Sequence, residues 1–396
     1  MSDLICISHL RWDFVWQRPQ HLLSRLAQQH RVLFVEEPMT SLEVTEPRLE
    51  IFPGRGCSGK RQVNIVRLLQ PAEEHCWIGH NDLRTQRTYE RLLRDYLDAE
   101  GWNDPILWLY VSMAMPFARV IKPKLLIYDV MDELSAFKGA PSELKKYDQI
   151  LLRQADIVFT GGASLYRSKS AYNPNTHLFP SGVEIEHFAQ AAHVNGHCPD
   201  DLLKAPHPML GYFGVIDERM DLPLLAHLAQ AHPEWSLVMI GPVVKIDPAE
   251  LPQAPNLYYL GMKDYQQLPG YLAHFDVALV PFAMNEATRY LSPTKTLEYL
   301  AAHKPVVSTP LHDIVELYGD YVKIGRTPAE FVAQVEDTLA ETANQRAIRR
   351  AREEQLLAQH TWDNIAQEMG RIIRTQLART TRVAKQPYQR VPARPA

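Results

Sequence analysis

Short runs of apolar residues alternate along the chain with longer amphipathic stretches, and this alternation occurs twice. Strands buried on both faces are continuous apolar runs rich in Val, Ile and Leu, whereas helices repeat with a period of about 3.6 residues. We predict strands at 4–8, 32–36, 106–111, 125–129, 156–160, 209–213, 236–240, 257–260, 277–280 and 305–308. Because helical segments separate these runs, the pattern predicts an α/β fold with parallel sheets covered by helices on both faces.

The two series of strands predict two doubly wound, Rossmann-like domains facing each other across a cleft. A length of 396 residues suits two such units. Residues 186–207 show neither period and are rich in breaking residues, so we expect a linker there, between domains at 1–185 and 208–360. Residues 361–378 are predicted to form a helix. Residues 379–396 hold three prolines and no acid, which is typical of a disordered basic tail.

The net charge of −4 is unevenly distributed, with nets of 0 over residues 1–185, −11 over 186–369 and +7 over 370–396. Neither domain has the basic excess of a nucleic-acid-binding protein, so we expect no nucleic-acid partner. The four cysteines are widely spaced, which favours a reducing cytoplasm. The uncharged apolar stretch 106–118 is too short to span a membrane.

Two tempting motifs lack the context that their chemistry needs. The glycine-rich segment 54–61 resembles a phosphate-binding loop, but it follows Pro53 and precedes a strand-like run, so we expect a flexible hairpin loop. Histidines and cysteines at 75, 76 and 80, and at 193, 197 and 198, do not provide four zinc ligands at a familiar spacing. We therefore predict no metal site and no cofactor.

The strongest local signal is the segment 289–308. Ser292 is a natural N-cap and Pro293 suits the first helical position, so a helix is predicted to start there. Its amide groups and Lys295 would face a diphosphate, and Glu298, one turn further on, could accept hydrogen bonds from a ribose diol. A surface ion pair between Lys295 and Glu298 is an equally consistent interpretation.

This segment resembles the donor-nucleotide motif of GT-B glycosyltransferases, especially bacterial polysaccharide enzymes of the teichuronic-acid type in families 4 and 1. The matching pattern is Pro293-x-Lys295-x-x-Glu298-Tyr-Leu-Ala-x-x-Lys-Pro-Val-Val. The similarity extends over about residues 4–377. It includes the segments 8–20, 128–133, 180–188, 211–217 and 360–363, the last at the start of a helix that crosses back to the first domain.

The resemblance implies that the first domain binds a glycan or lipid-linked acceptor and that the second binds a nucleotide sugar, UDP- or GDP-linked. The donor site would comprise Gly214, Asp217, Gly241, Met262, Arg289, Ser292, Thr294, Lys295 and Glu298. The acceptor side would comprise Trp12, Trp16 and Arg18. No Asp-x-Asp triplet occurs, so we expect transfer without a metal ion.

A carboxylate at the end of the 125–129 strand is the best-placed general base. We favour Asp132, with Asp129 and Asp13 as rivals; the alternative is that Asp129 and Asp132 cap the following turn. Many retaining relatives carry a Glu eight residues before the donor Glu, and here that position is Tyr290. The sequence therefore leaves retaining and inverting transfer open.

Other functions and a membrane partner also stay open. A nucleotide-sugar epimerase, a phosphorylase on the same fold or a non-catalytic nucleotide-sugar-binding homologue would share these motifs. The predicted helix 83–97 carries a stripe of arginines at 84, 87, 91 and 94. This stripe, like the basic tail, predicts either a solvated face or a peripheral contact with the inner, anionic face of the cytoplasmic membrane.

Overall fold

The computed structural model describes residues 2–55, 62–137, 139–193 and 198–380, which form two lobes. The strands of the first lobe are β1 (Ser2–Ile7), β2 (His30–Val35), β3 (Met39–Ser41), β4 (Arg48–Pro53), β5 (Val63–Pro71), β6 (Cys76–Trp77), β7 (Ile106–Leu109), β8 (Leu125–Val130), β9 (Ile157–Thr160) and β10 (Thr176–Leu178). Its helices are α1 (Arg18–Leu26), α2 (Leu83–Ala99), α3 (Met115–Ala118), α4 (Leu144–Gln154) and α5 (Ala163–Lys169), and the short helix α6 (Ile185–Ala189) follows them in the chain.

The first sheet has the strand order β10-β9-β8-β7-β1-β2-β5-β3-β6 among the described residues, and β4 pairs with β5. Its central pairs are parallel, but β4 runs antiparallel to β5 and β6 antiparallel to β3. The prediction of a purely parallel first sheet was therefore wrong at this edge, because β4 and β5 pair as an antiparallel hairpin. Gly54 closes it by donating its backbone N–H to the Val63 carbonyl at 2.9 Å; residues 56–61 lie outside the described residues.

The second lobe has a sheet of order β13-β12-β11-β14-β15-β16 among the described residues, and its pairs are parallel. Its strands are β11 (Met209–Phe213), β12 (Ser236–Ile240), β13 (Leu257–Gly261), β14 (Val277–Val280), β15 (Val306–Ser308) and β16 (Lys323–Ile324). The helices that follow are α7 (Leu222–Ala231), α8 (Leu268–Leu272), α9 (Lys295–Ala301), α10 (His312–Tyr318), α11 (Pro328–Leu339), α12 (Ala343–Leu357) and α13 (Trp362–Thr380). The predicted α/β class with two doubly wound lobes is confirmed.

Helix α6 occupies part of the segment expected to be a linker. Phe188 is completely buried in the core of the second lobe, and α6 packs against α9. The residues from Ile185 onward therefore pack with the second lobe. The helix has only five residues, too few for a helical period to appear in the sequence.

The last helix, α13, leaves the second lobe and packs on α1 of the first. The Trp362 ring stacks on His21 with centroids 4.6 Å apart, and Asp363 accepts a hydrogen bond from Arg25 at 2.9 Å. Met369 and Ile373 complete the core beneath β1. No helix in the described ranges is both long and apolar enough to cross a bilayer. Residues 381–396 of the expected basic tail lie outside the described part of the chain.

Candidate active site

Asp129 is the penultimate residue of the buried strand β8 and is bound to the first lobe rather than exposed to a substrate. Its carboxylate accepts hydrogen bonds from Arg18 Nε at 3.1 and 3.0 Å, and Arg18 Nη2 lies 3.0 Å from Oδ1. Arg18 also donates to the Phe179 carbonyl. Both side chains are at most 1% exposed. This corrects the sequence interpretation: Asp129 is not a free base, and Arg18 is not on the acceptor surface.

The first loop of the chain packs into the first lobe more than it forms a binding surface. Trp12 is buried against Phe34, and its indole N–H donates to the Arg55 carbonyl at 2.9 Å, which removes it from the acceptor side. Trp16 is half-buried and donates to His21. Asp13 is exposed. The rings of Trp12 and Trp16 pack in the core around β1, because that strand is covered on both faces.

Asp132 lies two residues beyond β8, in the loop that faces the second lobe. Its carboxyl group is half-buried. Burial raises its pKa to about 6, while Arg219, Lys245 and Lys295 of the second lobe oppose that rise. A carboxyl group with a pKa close to neutrality can accept a proton and is ionised at neutral pH. Of the three carboxylates predicted, Asp132 alone combines partial burial with facing cations.

A buried ionic network supports the loop behind Asp132. Lys169 Nζ donates to Glu133 at 2.6 Å and to Asp148 at 2.8 Å, and Asp148 also accepts from the Tyr128 hydroxyl. Lys169 is almost completely buried. These contacts tie the residue next to Asp132 to helices α4 and α5, so the loop has a defined position.

Two glycines bring the loops after β11 and β12 into contact. Gly214 and Gly241 have φ angles of 140° and 146°, a region that favours glycine. A Cβ at Gly241 would overlap the Gly214 carbonyl, and one at Gly214 would come within 2.8 Å of Lys295 Cε. The Lys295 side chain therefore lies directly over the Gly214 backbone, and both glycines are required by this close approach.

Helix α9 places Lys295 and Glu298 at the cleft, but its start differs from the prediction. The helix begins at Lys295 after Thr294, and neither Ser292 nor Pro293 caps it; Thr294 makes no side-chain capping bond. Residues 291–293 are not helical, and Ser292 lies beside Gly162 of the first lobe. Helix α9 has seven residues, so its dipole is small. The full charge of Lys295 therefore attracts an anion more strongly than the helix dipole does.

Lys295 and Glu298 do not form a surface ion pair within the described structure. Lys295 Nζ instead lies over the rings of Tyr212 and Phe282, at 5.4 and 5.1 Å from their centroids. Burial and the nearby Arg219 lower the pKa of Lys295, and burial raises that of Glu298. Both groups are held in a partly desolvated site where a charged ligand would interact strongly.

Asp217 is buried and bound to a residue that the sequence analysis missed. Its carboxylate accepts from Arg219 Nε at 2.9 and 3.1 Å and from Nη2 at 2.7 Å. Asp217 therefore holds Arg219 in place, and its predicted contact with a nucleotide stays a prediction. The sequence does show Arg219 on the loop after β11, two residues beyond the acidic Asp217, and this spacing could have indicated the pair.

Lys245 is a second missed cation, on the loop after β12. Its Nζ lies 4.5 Å from the ring centroid of Phe137 in the first lobe, and the Arg219 guanidinium carbon lies 5.6 Å from the same centroid. These contacts cross the cleft. Arg219, Lys245 and Lys295 thus come from three different segments and meet near Asp132; we call them the cleft cations.

Other predicted donor residues lie further out. Arg289 is exposed and 3.8 Å from Glu286, and Met262 is 48% exposed after β13. Tyr290, which replaces the glutamate of many retaining relatives, packs against the core of the first lobe. Among the described residues, no group of three or more His, Cys, Asp or Glu side chains is placed to hold a metal ion.

Comparison with known proteins identifies the two-lobed arrangement. Residues 221–371 match the family model described as glycosyl transferase-like. The chain is 25% identical over 310 residues to the putative teichuronic acid biosynthesis glycosyltransferase TuaH of Bacillus subtilis (strain 168), covering 73% of this chain and 77% of that protein. The protein is a GT-B glycosyltransferase.

Solved structures show the same fold at low identity. Sucrose-phosphate synthase from Thermosynechococcus elongatus superposes with a TM-score of 0.72 at 16% identity, covering 96% of this chain and all of that one. A UDP-forming α,α-trehalose-phosphate synthase from Burkholderia xenovorans gives 0.68 at 13% identity, covering 94% and 99%. In this glycosyltransferase, Asp132, Arg219 and Lys245 lie on the loops that follow β8, β11 and β12, where ligands of open α/β sheets bind, and Lys295 begins α9 beside them.

Proposed function

We propose that this glycosyltransferase moves a sugar from a UDP- or GDP-linked donor to a glycan or lipid-linked acceptor in cell-surface polysaccharide biosynthesis, without a metal ion. The observation that carries the proposal is the meeting of the three cleft cations with Asp132. A nucleotide-sugar diphosphate carries two negative charges and leaves with more, so fixed cations stabilise its departure. The relative named for teichuronic acid biosynthesis supports the polysaccharide assignment.

In this proposal the donor lies on the second lobe. Lys295 and Arg219 bind the diphosphate above Gly214 and Gly241, and Glu298 accepts hydrogen bonds from the ribose hydroxyls. The glycine backbones allow the phosphates to approach closely, since no side chain stands between the loops. The name of the UDP-forming structural neighbour supports UDP as the first nucleotide to test.

The acceptor lies on the first lobe and its hydroxyl is activated by Asp132. The hydroxyl oxygen attacks the anomeric carbon, its proton passes to the Asp132 carboxylate, and the bond to the diphosphate breaks with its electron pair leaving on the phosphate oxygen. This is the chemistry of inverting transfer. The replacement of the retaining glutamate by Tyr290, which packs on the first lobe, supports that choice.

Thermal unfolding with nucleotides tests the donor site. We expect UDP or GDP, added without metal at about 100 times its dissociation constant, to stabilise the wild-type protein by about 2.7 kcal/mol, a shift of several degrees. The Lys295→Ala variant should lose most of that shift because the remaining cations do not replace its charge. ADP serves as the control for non-specific anion binding. A folded wild-type protein that shifts with neither UDP nor GDP would contradict the proposal.

We further propose a peripheral contact between α2 and anionic lipid. Leu83, Arg87 and Arg91 are exposed on this helix. The stripe is less basic than its sequence suggests, because Arg94 lies 3.2 Å from Glu90, and Arg91 lies 3.7 Å from Asp95. At low salt the protein should sediment with vesicles containing phosphatidylglycerol and not with phosphatidylcholine alone. Equal recovery in the supernatant from both vesicle types would show a solvated face instead.

A further inference from the structure

A polar contact joins the lobes close to the active site. The Asp313 carboxylate, on α10 of the second lobe, accepts hydrogen bonds from the Ser164 backbone N–H at 3.0 Å and from its hydroxyl at 2.5 Å. Asp313 is 1% exposed. Beside it, Arg167 of α5 pairs with Glu316 of α10 at 2.5 Å, where both side chains are about half exposed. We call this set the α5–α10 contact.

The α5–α10 contact is continuous with both halves of the site. A Cβ at Gly162, just before α5, would overlap Oδ2 of Asp313 and lie 3.0 Å from Ser292 Cβ, in the segment leading to Lys295. A Cβ at the preceding Gly161 would lie 3.2 Å from the Cα of Met131, the residue just before Asp132 in the chain. The two glycines thus fill the space between the Asp132 loop and the second lobe, with no room for a methyl group.

The chemistry of Asp313 is unusual for a packing residue. Its Oδ2 is buried and has no hydrogen-bond partner within the described part of the chain. A buried carboxylate with one unsatisfied oxygen is costly, and apolar residues would join two surfaces with less penalty. Its two bonds reach only Ser164, across the boundary between lobes. The carboxylate therefore fixes the relation of the lobes rather than the core of either one.

We propose that Gly162, Ser164 and Asp313 are positioning residues that set how close Asp132 comes to the cleft cations. None of them is among Lys295, Arg219 and Glu298, the residues proposed to bind the nucleotide on the second lobe. When the contact is lost, the nucleotide still binds, but the base on the first lobe no longer meets the acceptor and donor in the reactive geometry. Displacements of about 1 Å reduce rates by about 10²-fold, so the effect falls on turnover.

The test compares Gly162→Ala, Asp313→Ala and Asp313→Asn with the wild-type protein. Gly270→Ala is a matched control, because a Cβ at Gly270 meets no atom within 4 Å. Nucleotide affinity is measured by titration calorimetry with UDP or GDP, turnover by release of the nucleoside diphosphate from the donor, and lobe separation by small-angle X-ray scattering of the full chain. Asp313→Asn keeps an oxygen for Ser164 and should retain more turnover than Asp313→Ala.

We expect Gly162→Ala and Asp313→Ala to bind nucleotide within about twofold of wild type, to lose at least tenfold in turnover, and to have a larger radius of gyration than Gly270→Ala. Unchanged turnover and scattering would overturn the inference, and so would parallel losses of affinity and turnover. The inference rests on the proposed function for its kinetic readout. A wild-type protein that binds no nucleotide refutes the proposed function, and the scattering comparison then decides the inference alone.

Discussion

The Asp132→Asn variant is expected to lose sugar transfer by a factor of about 10² to 10⁴, the usual contribution of a general base. Asparagine keeps the size and polarity of the side chain but cannot accept the proton of the acceptor hydroxyl. Nucleotide affinity should be retained or increase, because the substitution removes a negative charge beside the cleft cations. Turnover is measured as release of nucleoside diphosphate in the presence and absence of acceptor.

The pH dependence of the wild-type enzyme provides a second measurement of the same group. Burial raises the pKa of Asp132 to about 6, so the carboxylate loses its negative charge as the pH falls through that value. A base must be ionised to act, and kcat/KM should therefore decline below about pH 6 and level off above it. The acid limb of the profile should disappear in Asp132→Asn.

Asp13→Asn is the matched control, since Asp13 is an exposed rival carboxylate on the same lobe. We expect that variant to keep wild-type turnover. Full activity in Asp132→Asn with an intact fold would exclude Asp132 as the base, and loss of activity in Asp13→Asn instead would move the assignment to the first loop.

The Asp129→Ala variant is expected to destabilise the first lobe by about 3–5 kcal/mol, because it leaves the Arg18 guanidinium buried without its counter-charge. The midpoint of thermal unfolding should fall by about 10 °C. Circular dichroism or calorimetry of the purified variant measures the shift. Restoring neutrality with the double variant Arg18→Met/Asp129→Leu should recover most of the loss.

The exposed Asp3–Arg31 pair supplies a comparison within the same lobe. Its geometry is also bidentate, with distances of 3.0 and 2.8 Å, but the two side chains are 21% and 38% exposed. Asp3→Ala should therefore cost about 1 kcal/mol or less. Equal effects of the two substitutions would contradict the structural role assigned to Asp129.

The central strands were predictable because they are buried on both faces, and each of the ten predicted runs matches a strand within two residues at either end. Among the strands that sequence analysis missed, β3, β10 and β16 have only two or three residues. So short a run carries no period, and its conformation is set by pairing with a neighbouring strand. Tertiary contacts, which a local pattern does not contain, decide these segments.

The residues of the candidate site also fall into those that a local pattern predicts and those that it does not. Lys295 and Asp132 were predicted because a motif and a strand end point to them. A buried ion pair places charged residues at strand ends too, so Asp129 and Asp217 looked like site residues although both hold arginines. Arg219 and Lys245 were missed because loop cations show their role only when the lobes bring them together. The local sequence distinguishes none of these cases.

The return of α13 to the first lobe has a consequence for dividing the molecule. Cutting the chain once, anywhere between the lobes, removes Trp362, Met369 and Ile373 from the core that they fill beneath β1. The amino-terminal piece would then expose apolar surface, which promotes aggregation. The carboxyl-terminal piece would carry an amphipathic helix with nothing to cover it. The first lobe is therefore discontinuous in sequence, and producing it by itself requires the final helix to be joined to it by a designed connection.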